Sequence, residues 1–327
     1  MRAVIPVAGV GTRLRPHTYA LPKVLLNVAG KPILAHILDA LIKYGINDAT
    51  IITGYMGDLV EDFVTHRYPN IKTEFVKQEQ RLGLGHAIWT GKDTYKKDET
   101  LMIILGDTIF DVDLKNTINS NINSIGVKEV DDPRRFGIVM LDKDNLISKF
   151  IEKSPEPVSN LAIVGLYYIK NANSLIKALD TLMSQNIKTN NEYQLTDALQ
   201  LMLDDGEKFN TFLVDGWYDC GKPETLLSTN KFLLEGYPIP KSIAGSIIIP
   251  PCFIADDAKI ENSIIGPYTS VASGCVVKDS IVKNSIISYE ARVSKILLNE
   301  SIVGNEAEVN GVFNVLNVGN SSSIELK

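Results

Sequence analysis

The stretch Ala3-Val4-Ile5-Pro6-Val7, running directly into Ala8-Gly9-Val10-Gly11-Thr12-Arg13-Leu14 and on to Pro22-Lys23, decides the fold. Its apolar start reads as a buried strand, and a glycine-rich turn immediately after a strand is how an α/β sheet presents backbone N–H groups to an anion. Gly9 and Gly11 carry no Cβ to hold those groups away from a triphosphate, Thr12 continues the loop, and Arg13 and Lys23 add fixed positive charge. Two other phosphate motifs fail. Leu14 stands where the dinucleotide fingerprint needs its third glycine. Gly216 to Lys222 has P-loop spacing, but Pro223 replaces the magnesium-binding Ser or Thr and the loop interior is Trp-Tyr-Asp-Cys.

Outward from that strand, apolar runs predict further strands at Ala49 to Thr53, Lys72 to Val76, Leu101 to Leu105 and Ala162 to Ile169. Pro32 to Tyr44 and Ser174 to Leu182 repeat apolar residues at helical spacing, with Pro32 suited to a helix start. This alternation over residues 1–235 implies an α/β fold, a Rossmann-like, mostly parallel sheet with helices on both faces. With 327 residues, the chain is long enough for two domains. A Pro- and Gly-containing linker is expected at 236–250, and a second domain at 251–327.

The second domain has another texture. Aliphatic residues recur every five or six positions, at Ile254, Ile260, Ile265, Val271, Val277, Ile287, Val293, Val303 and Val309. Similar phrases begin at Ser263, Ser285 and Ser301, the mark of stacked repeats. The pattern resembles the hexapeptide repeat of a left-handed parallel β-helix; a meandering antiparallel sheet is the alternative. Stacked coils have open ends and apolar faces, so a homo-oligomer formed through this domain is expected.

A net charge of -6 argues against a nucleic-acid partner. No apolar run approaches the roughly 20 residues of a membrane span, and the apolar start is too short for a signal peptide. Cys220, Cys252 and Cys275 lack CxxC spacing and suggest neither a disulfide framework nor a zinc site. The expected location is cytoplasmic.

Motifs in a fixed order carry a resemblance over residues 1–235: GVGTRLRPHT with PK, Gln78 followed by GLGHA, then LGDTIF, FGIV, IEK, VGLY and WYDCG. Together they resemble the sugar-1-phosphate nucleotidylyltransferases, nearest to the glucose-1-phosphate thymidylyltransferases. The resemblance implies transfer of a nucleotidyl group from dTTP or UTP to glucose 1-phosphate, with pyrophosphate as the second product. A mannose-1-phosphate guanylyltransferase and a non-catalytic regulatory subunit share the architecture and are the alternatives.

The resemblance also assigns roles. Arg13 and Lys23 would be catalytic, and Gly9, Gly11, Thr12, Gln78 and Gly83 would bind nucleotide. Gly137, Glu152, Lys153 and Gly165 would bind the sugar phosphate, and Asp107 and Asp219 would hold Mg2+. Chemistry agrees with parts of this. Asp107 follows a strand, at the edge where open α/β sheets bind ligands, and magnesium takes one or two carboxylates beside phosphate and water. A Gln amide has a donor and an acceptor for the N3–H and O4 edge shared by uracil and thymine. A sugar phosphate is largely dianionic at neutral pH, its second pKa being about 6, so none of His17, His36, His66 and His86 is required as a base. All four precede residue 87, which also argues against a histidine-dependent acyl transfer in the second domain. Ser154 stands where the family commonly has proline, leaving loop shape and sugar identity open.

Overall fold

The computed structural model describes residues 1–156 and 158–312, so the expected second-domain stretch beyond 312 lies outside the described residues. Tertiary contacts divide the chain into two units. One comprises Met1–Leu26 and Lys31–Thr229; the other comprises Asn27–Gly30 and the chain from Asn230 onward.

The first unit is built on β1 (Arg2–Pro6); the short strands β2 (Asn27–Val28), which belongs to the second unit, and β3 (Lys31–Pro32) follow in the chain. Next come β4 (Asp48–Thr53), β5 (Lys72–Lys77), β6 (Leu101–Ile104), β7 (Thr108–Asp111), β8 (Asn123–Glu129) and β9 (Gly137–Leu141). β10 (Ile147–Glu152), β11 (Leu161–Ile169), β12 (Phe209–Leu213) and β13 (Gly216–Asp219) complete the set. Nine of these form one sheet with the path β10-β9-β11-β6-β1-β4-β5, and β8 and β12 extend it beside β11. Only β10 and β11 run against the other seven, as the pairing directions require. The sheet is thus mostly parallel.

Helices α1 (Ile33–Lys43), α2 (Gly57–Arg67), α3 (Leu84–Thr90), α4 (Ala172–Ser184) and α5 (Leu195–Asp204) cover it. Val4, Ile52, Leu101 and Ile103 share a core with Ile88 of α3, Leu175 and Leu179 of α4, and Leu199 of α5. Alternate residues Ala3, Ile5, Ile51 and Met102 are just as buried and point to the opposite face, as strand alternation demands. Ile37, Leu38 and Leu41 give α1 its buried stripe, and α1 begins after Pro32, whose missing N–H costs nothing at that position. At the amino end of β1, the buried Arg2 guanidinium is held by Glu74 at 2.7 Å and Glu99 at 3.1 Å. A buried cation is tolerable because it is paired.

The second unit is the left-handed parallel β-helix. Three sheets of four short parallel strands begin at Ile247–Ile248, Cys252–Ile254 and Lys259–Glu261. In the first sheet Ile247, Ile264, Ile281 and Leu297 stand in register, giving coils of 17, 17 and 16 residues. Ile260, Ile265, Val271, Val277, Ile287, Val293 and Val303 point inward to one core, with Ile254 and Val309 packed against it. The repeated serine phrases mark faces rather than whole coils. Ser263 and Ser280 precede strands of the first sheet, whereas Ser285 and Ser301 precede strands of the second. Each buried serine hydroxyl ties rungs together, as when the Ser280 N–H donates to Ser263 Oγ at 3.1 Å and Ser301 N–H to Ser285 Oγ at 3.1 Å. Helix α6 (Pro223–Glu235) carries Asn230, whose side-chain carbonyl accepts from Ser270 Oγ at 2.8 Å and from Ala29 N–H at 2.9 Å.

Candidate functional site

The chain passes from β1 to β4 and β5 on one side, then returns to place β6 on the other side of β1. Loops leaving the carboxyl ends of β1 and β6 therefore diverge, and the crevice between them is the place where open α/β sheets take ligands. Two cavities of about 460 Å³ and 640 Å³ lie there and share Arg13, Leu84, Leu105 and Asp107 in their walls.

The smaller cavity is walled by the loop after β1. Gly11 adopts φ 69°, and a Cβ there would come within 2.9 Å of Lys23 Cβ, so the turn demands glycine. A Cβ on Gly9 would meet no protein atom, which leaves its backbone approachable. Thr12, Gln78 and Gly83 complete the predicted nucleotide residues in this wall. Lys23 is 7% exposed, and its ammonium donates to Asp107 Oδ2 at 2.7 Å. Gln78, at the end of β5, is 6% exposed; its amide nitrogen donates to Gly83 O at 3.2 Å and lies 2.9 Å from His86 Nδ1. Burial lowers the His86 pKa, which keeps the ring neutral near pH 7.

Asp107 and Asp219 come together through an antiparallel ribbon of β7 and β13, in which Asp219 faces Thr108. The Cys220 N–H closes it by donating to Asp107 O at 3.0 Å. A Cβ on Gly221 would meet Asp219 Oδ1 at 2.8 Å and Arg13 Nη2 at 2.9 Å, so glycine leaves room for both charged groups. Two carboxylates, oxygen donors beside a polyphosphate-sized crevice, fit a hard cation such as Mg2+ that completes its shell with phosphate and water. Among the described residues no group of three or more His, Cys, Asp and Glu is arranged for a metal. Cys220 is buried and its thiol is pushed up to about 12 by that burial, so it is inert packing rather than a nucleophile.

The larger cavity is walled by Gly137, Glu152, Lys153 and Gly165 together with Asp219. Glu152 Oε2 accepts from Thr196 Oγ1 at 2.7 Å, and Oε1 lies 3.3 Å from Lys153 Nζ. Gly165 has φ 87°, and a Cβ there would lie 2.4 Å from the Leu105 side chain, so the left-handed backbone and the leucine packed on it require glycine there. Phe136 and Trp217 meet edge-on at 5.0 Å, giving this cavity an aromatic wall.

The structure thus gathers all thirteen residues singled out in the sequence into two adjoining cavities. It adds others to which the sequence reading gave no role. Arg81 and Glu192 line the smaller cavity; Arg135, Thr196, Trp217 and Lys222 line the larger. Lys222 and Trp217 lie in the failed P-loop match; Trp217 opens the WYDCG motif and Lys222 directly follows it, which was a usable signal. Nothing local ties Thr196 to Glu152, 44 residues away.

A glycine loop flanked by paired cations, facing two aspartates at the carboxyl edge of a mostly parallel sheet, defines the class as an α/β nucleotidyltransferase. Residues 2–236 match the nucleotidyl transferase family, and the chain belongs to it. Its relatives include a low-salt glycan biosynthesis nucleotidyltransferase of Haloferax volcanii, 30% identical over 90% of this chain and 89% of its own length. Bifunctional protein GlmU of Methanocaldococcus jannaschii is 34% identical over 93% of this chain and 78% of its own. A glucose-1-phosphate thymidylyltransferase of Streptomyces griseus is 28% identical over 94% and 93%. Among solved structures, UDP-glucose pyrophosphorylase complexed with UDP-glucose has the same fold, with a TM-score of 0.62 at 24% identity over 72% of this chain and 99% of that one.

Proposed function

We propose that the protein transfers a nucleotidyl group from dTTP or UTP to glucose 1-phosphate, forming the nucleotide sugar and pyrophosphate. The observation that carries this reading is the pair of adjoining cavities with Arg13 and Asp107 common to both walls. In this reading the smaller cavity takes the triphosphate and the larger takes the sugar phosphate, so the α-phosphorus and its attacker meet beside Arg13 and Asp107.

A sugar-phosphate oxygen attacks the α-phosphorus, the new P–O bond forms, and the α–β bridging bond breaks to release pyrophosphate. No proton is removed from the attacker at neutral pH, so the residues act by position and charge. Gly9, Gly11 and Thr12 offer backbone to the phosphates, Gln78 and Gly83 hold the base, and Arg13 and Lys23 offset charge on the departing pyrophosphate. Gly137 and Gly165 line the approach of the hexose, Glu152 accepts from its hydroxyls, and Lys153 faces its phosphate. Asp107 and Asp219 would hold Mg2+, which when bound supplies charge neutralisation between the two anionic substrates. The cytoplasm is the proposed location, residues 1–235 the proposed catalytic domain, and residues 251–327 the part through which copies would associate.

Pyrophosphate release with dTTP or UTP, glucose 1-phosphate and Mg2+ tests the reading. Silence across a matrix of triphosphates and hexose 1-phosphates would sink it.

A further inference from the structure

The three faces of the β-helix differ in what lies on them. The outer face of the second sheet is covered, with Phe253 against Gly30 and Ser270 Oγ bonded to Asn230 at 2.8 Å. The third sheet turns Lys259, Glu261, Lys278, Arg292 and Glu308 to solvent, with Lys278 and Glu261 paired at 3.2 Å. The first sheet carries neither cover nor charge along its middle. Ile248, Ile265, Val282 and Leu298 point inward, so the alternate residues Ile247, Ile264, Ile281 and Leu297 point outward in one column, rung above rung. Leu297 is 63% exposed and Ile247 58%. Scattered exposed aliphatic residues need no explanation, but an aligned column of them marks a contact surface.

The charges along the two edges of the column indicate what fits it. The chain enters successive rungs through left-handed corners at Gly245, Asn262, Asp279 and Lys295. It leaves them at Ile249-Pro250, Gly266-Pro267, Lys283-Asn284 and Asn299-Glu300. The first two rungs are thus neutral at both edges, the third is acidic at entry and basic at exit, and the fourth is the reverse. Asp279 accepts a hydrogen bond from Asn262 at 3.4 Å, but none of Asp279, Lys283, Lys295 and Glu300 forms an ion pair with another described residue. Four residues of extended chain, about 13 Å, separate the two edges of a rung, so Asp279 and Lys283 of one copy stay apart. A second copy set face to face by rotation about an axis parallel to the coil axis brings entry edge against exit edge on every rung. Asp279 then lies opposite Lys283, and Lys295 opposite Glu300. Turned end over end, the third rung meets the second and the fourth meets the first, so Asp279 faces Asn262, Lys295 faces Gly245, and no opposite charges meet.

We propose that the column Ile247, Ile264, Ile281 and Leu297 is the surface on which a second copy of the chain docks, coils parallel and each rung against its like. The aliphatic column supplies affinity, and the edge charges fix direction and register. The inference rests on the reading that copies associate through the β-helix, and it names the face and the arrangement.

Sedimentation of the full chain over a concentration series tests it, with circular dichroism to follow the fold. The unmodified chain should associate. Ile281→Glu combined with Leu297→Glu puts two charges into the contact and should weaken association at least about a hundredfold. The fold should hold, because both side chains are already exposed. Asp279→Lys sets a lysine against Lys283 of the copy and should weaken association about tenfold; adding Lys283→Asp exchanges the two charges and should recover it. Lysine suits that corner, since Lys295 has the same left-handed conformation, φ 54°, one coil on. Unchanged association in the glutamate variant would overturn this face while leaving association through the β-helix intact. Failure of Lys283→Asp to rescue Asp279→Lys would overturn the parallel register. A chain that is monomeric at every concentration, whether the column is bare or covered by the chain's own later residues, would overturn both readings. Should the glutamate variant not fold, the corner exchange, which lies outside the core, decides alone.

Discussion

In the α/β unit, Val4 of β1 belongs to a core that also holds Ile125, Leu179 and Phe209, gathered from strands and helices far along the chain. In the β-helix, Val277 stands in register with Ile260 one coil before it and Val293 one coil after. The difference is one of contact range. A sheet covered by helices brings distant loops to one edge, which is what the proposed site, with residues 9, 107, 152 and 219, needs. A solenoid stacks each coil on its neighbours, so it supplies a regular surface but gathers few distant groups. Chemistry falls to the first arrangement and repetition to the second.

Three substitutions probe that difference, beginning with the largest effect. Asp107→Asn should lower turnover by about a thousandfold, roughly 4 kcal/mol of transition-state stabilisation, while the unfolding midpoint moves by only a few degrees. Steady-state kinetics with scanning calorimetry checks it, and near-normal turnover contradicts the metal role. Ile287→Ala empties a fully buried position of the β-helix and should cost about 2–4 kcal/mol. Hydrogen exchange should quicken in the coils stacked on it while β1, β4 and β6 keep their protection. Uniform loss of protection in both units would erase the contrast in contact range. The smallest effect is expected from Thr196→Val, which removes the hydroxyl bound to Glu152 and should raise the sugar-phosphate KM about tenfold. The nucleotide KM should hold and Thr196→Ser should recover the loss; parallel changes in both KM values would mean that Thr196 shapes the unit rather than positions Glu152.

The five predicted strands and two predicted helices all occur, with ends shifted by one or two residues. They were legible because burial on one face imposes a period on each element separately. The aliphatic ladder of the β-helix was legible for the same reason, although the serine phrases were spaced by face and not by coil. Cavity walls carry no such period. Arg81, Arg135 and Lys222 look like any exposed cation in the sequence, and only the folded sheet brings them to the two cavities. Asn27–Gly30 likewise lies early in the chain yet belongs with the β-helix, where Gly30 packs on Phe253 and the Tyr237 hydroxyl donates to Ala29 O at 2.6 Å.

The sequence by itself determined the glycine loop, the strand that feeds it, Asp107 after its strand and the family to which the chain belongs. These depend on neighbours in the chain, where residue type and backbone conformation are directly coupled. Tertiary structure alone decided that Lys23 is paired with Asp107, that Thr196 holds Glu152, and that Gln78 is tied to Gly83 and His86. A hydrogen bond spans about 3 Å whatever the separation along the chain, so the donors and acceptors left for a ligand are known only after folding has matched the rest.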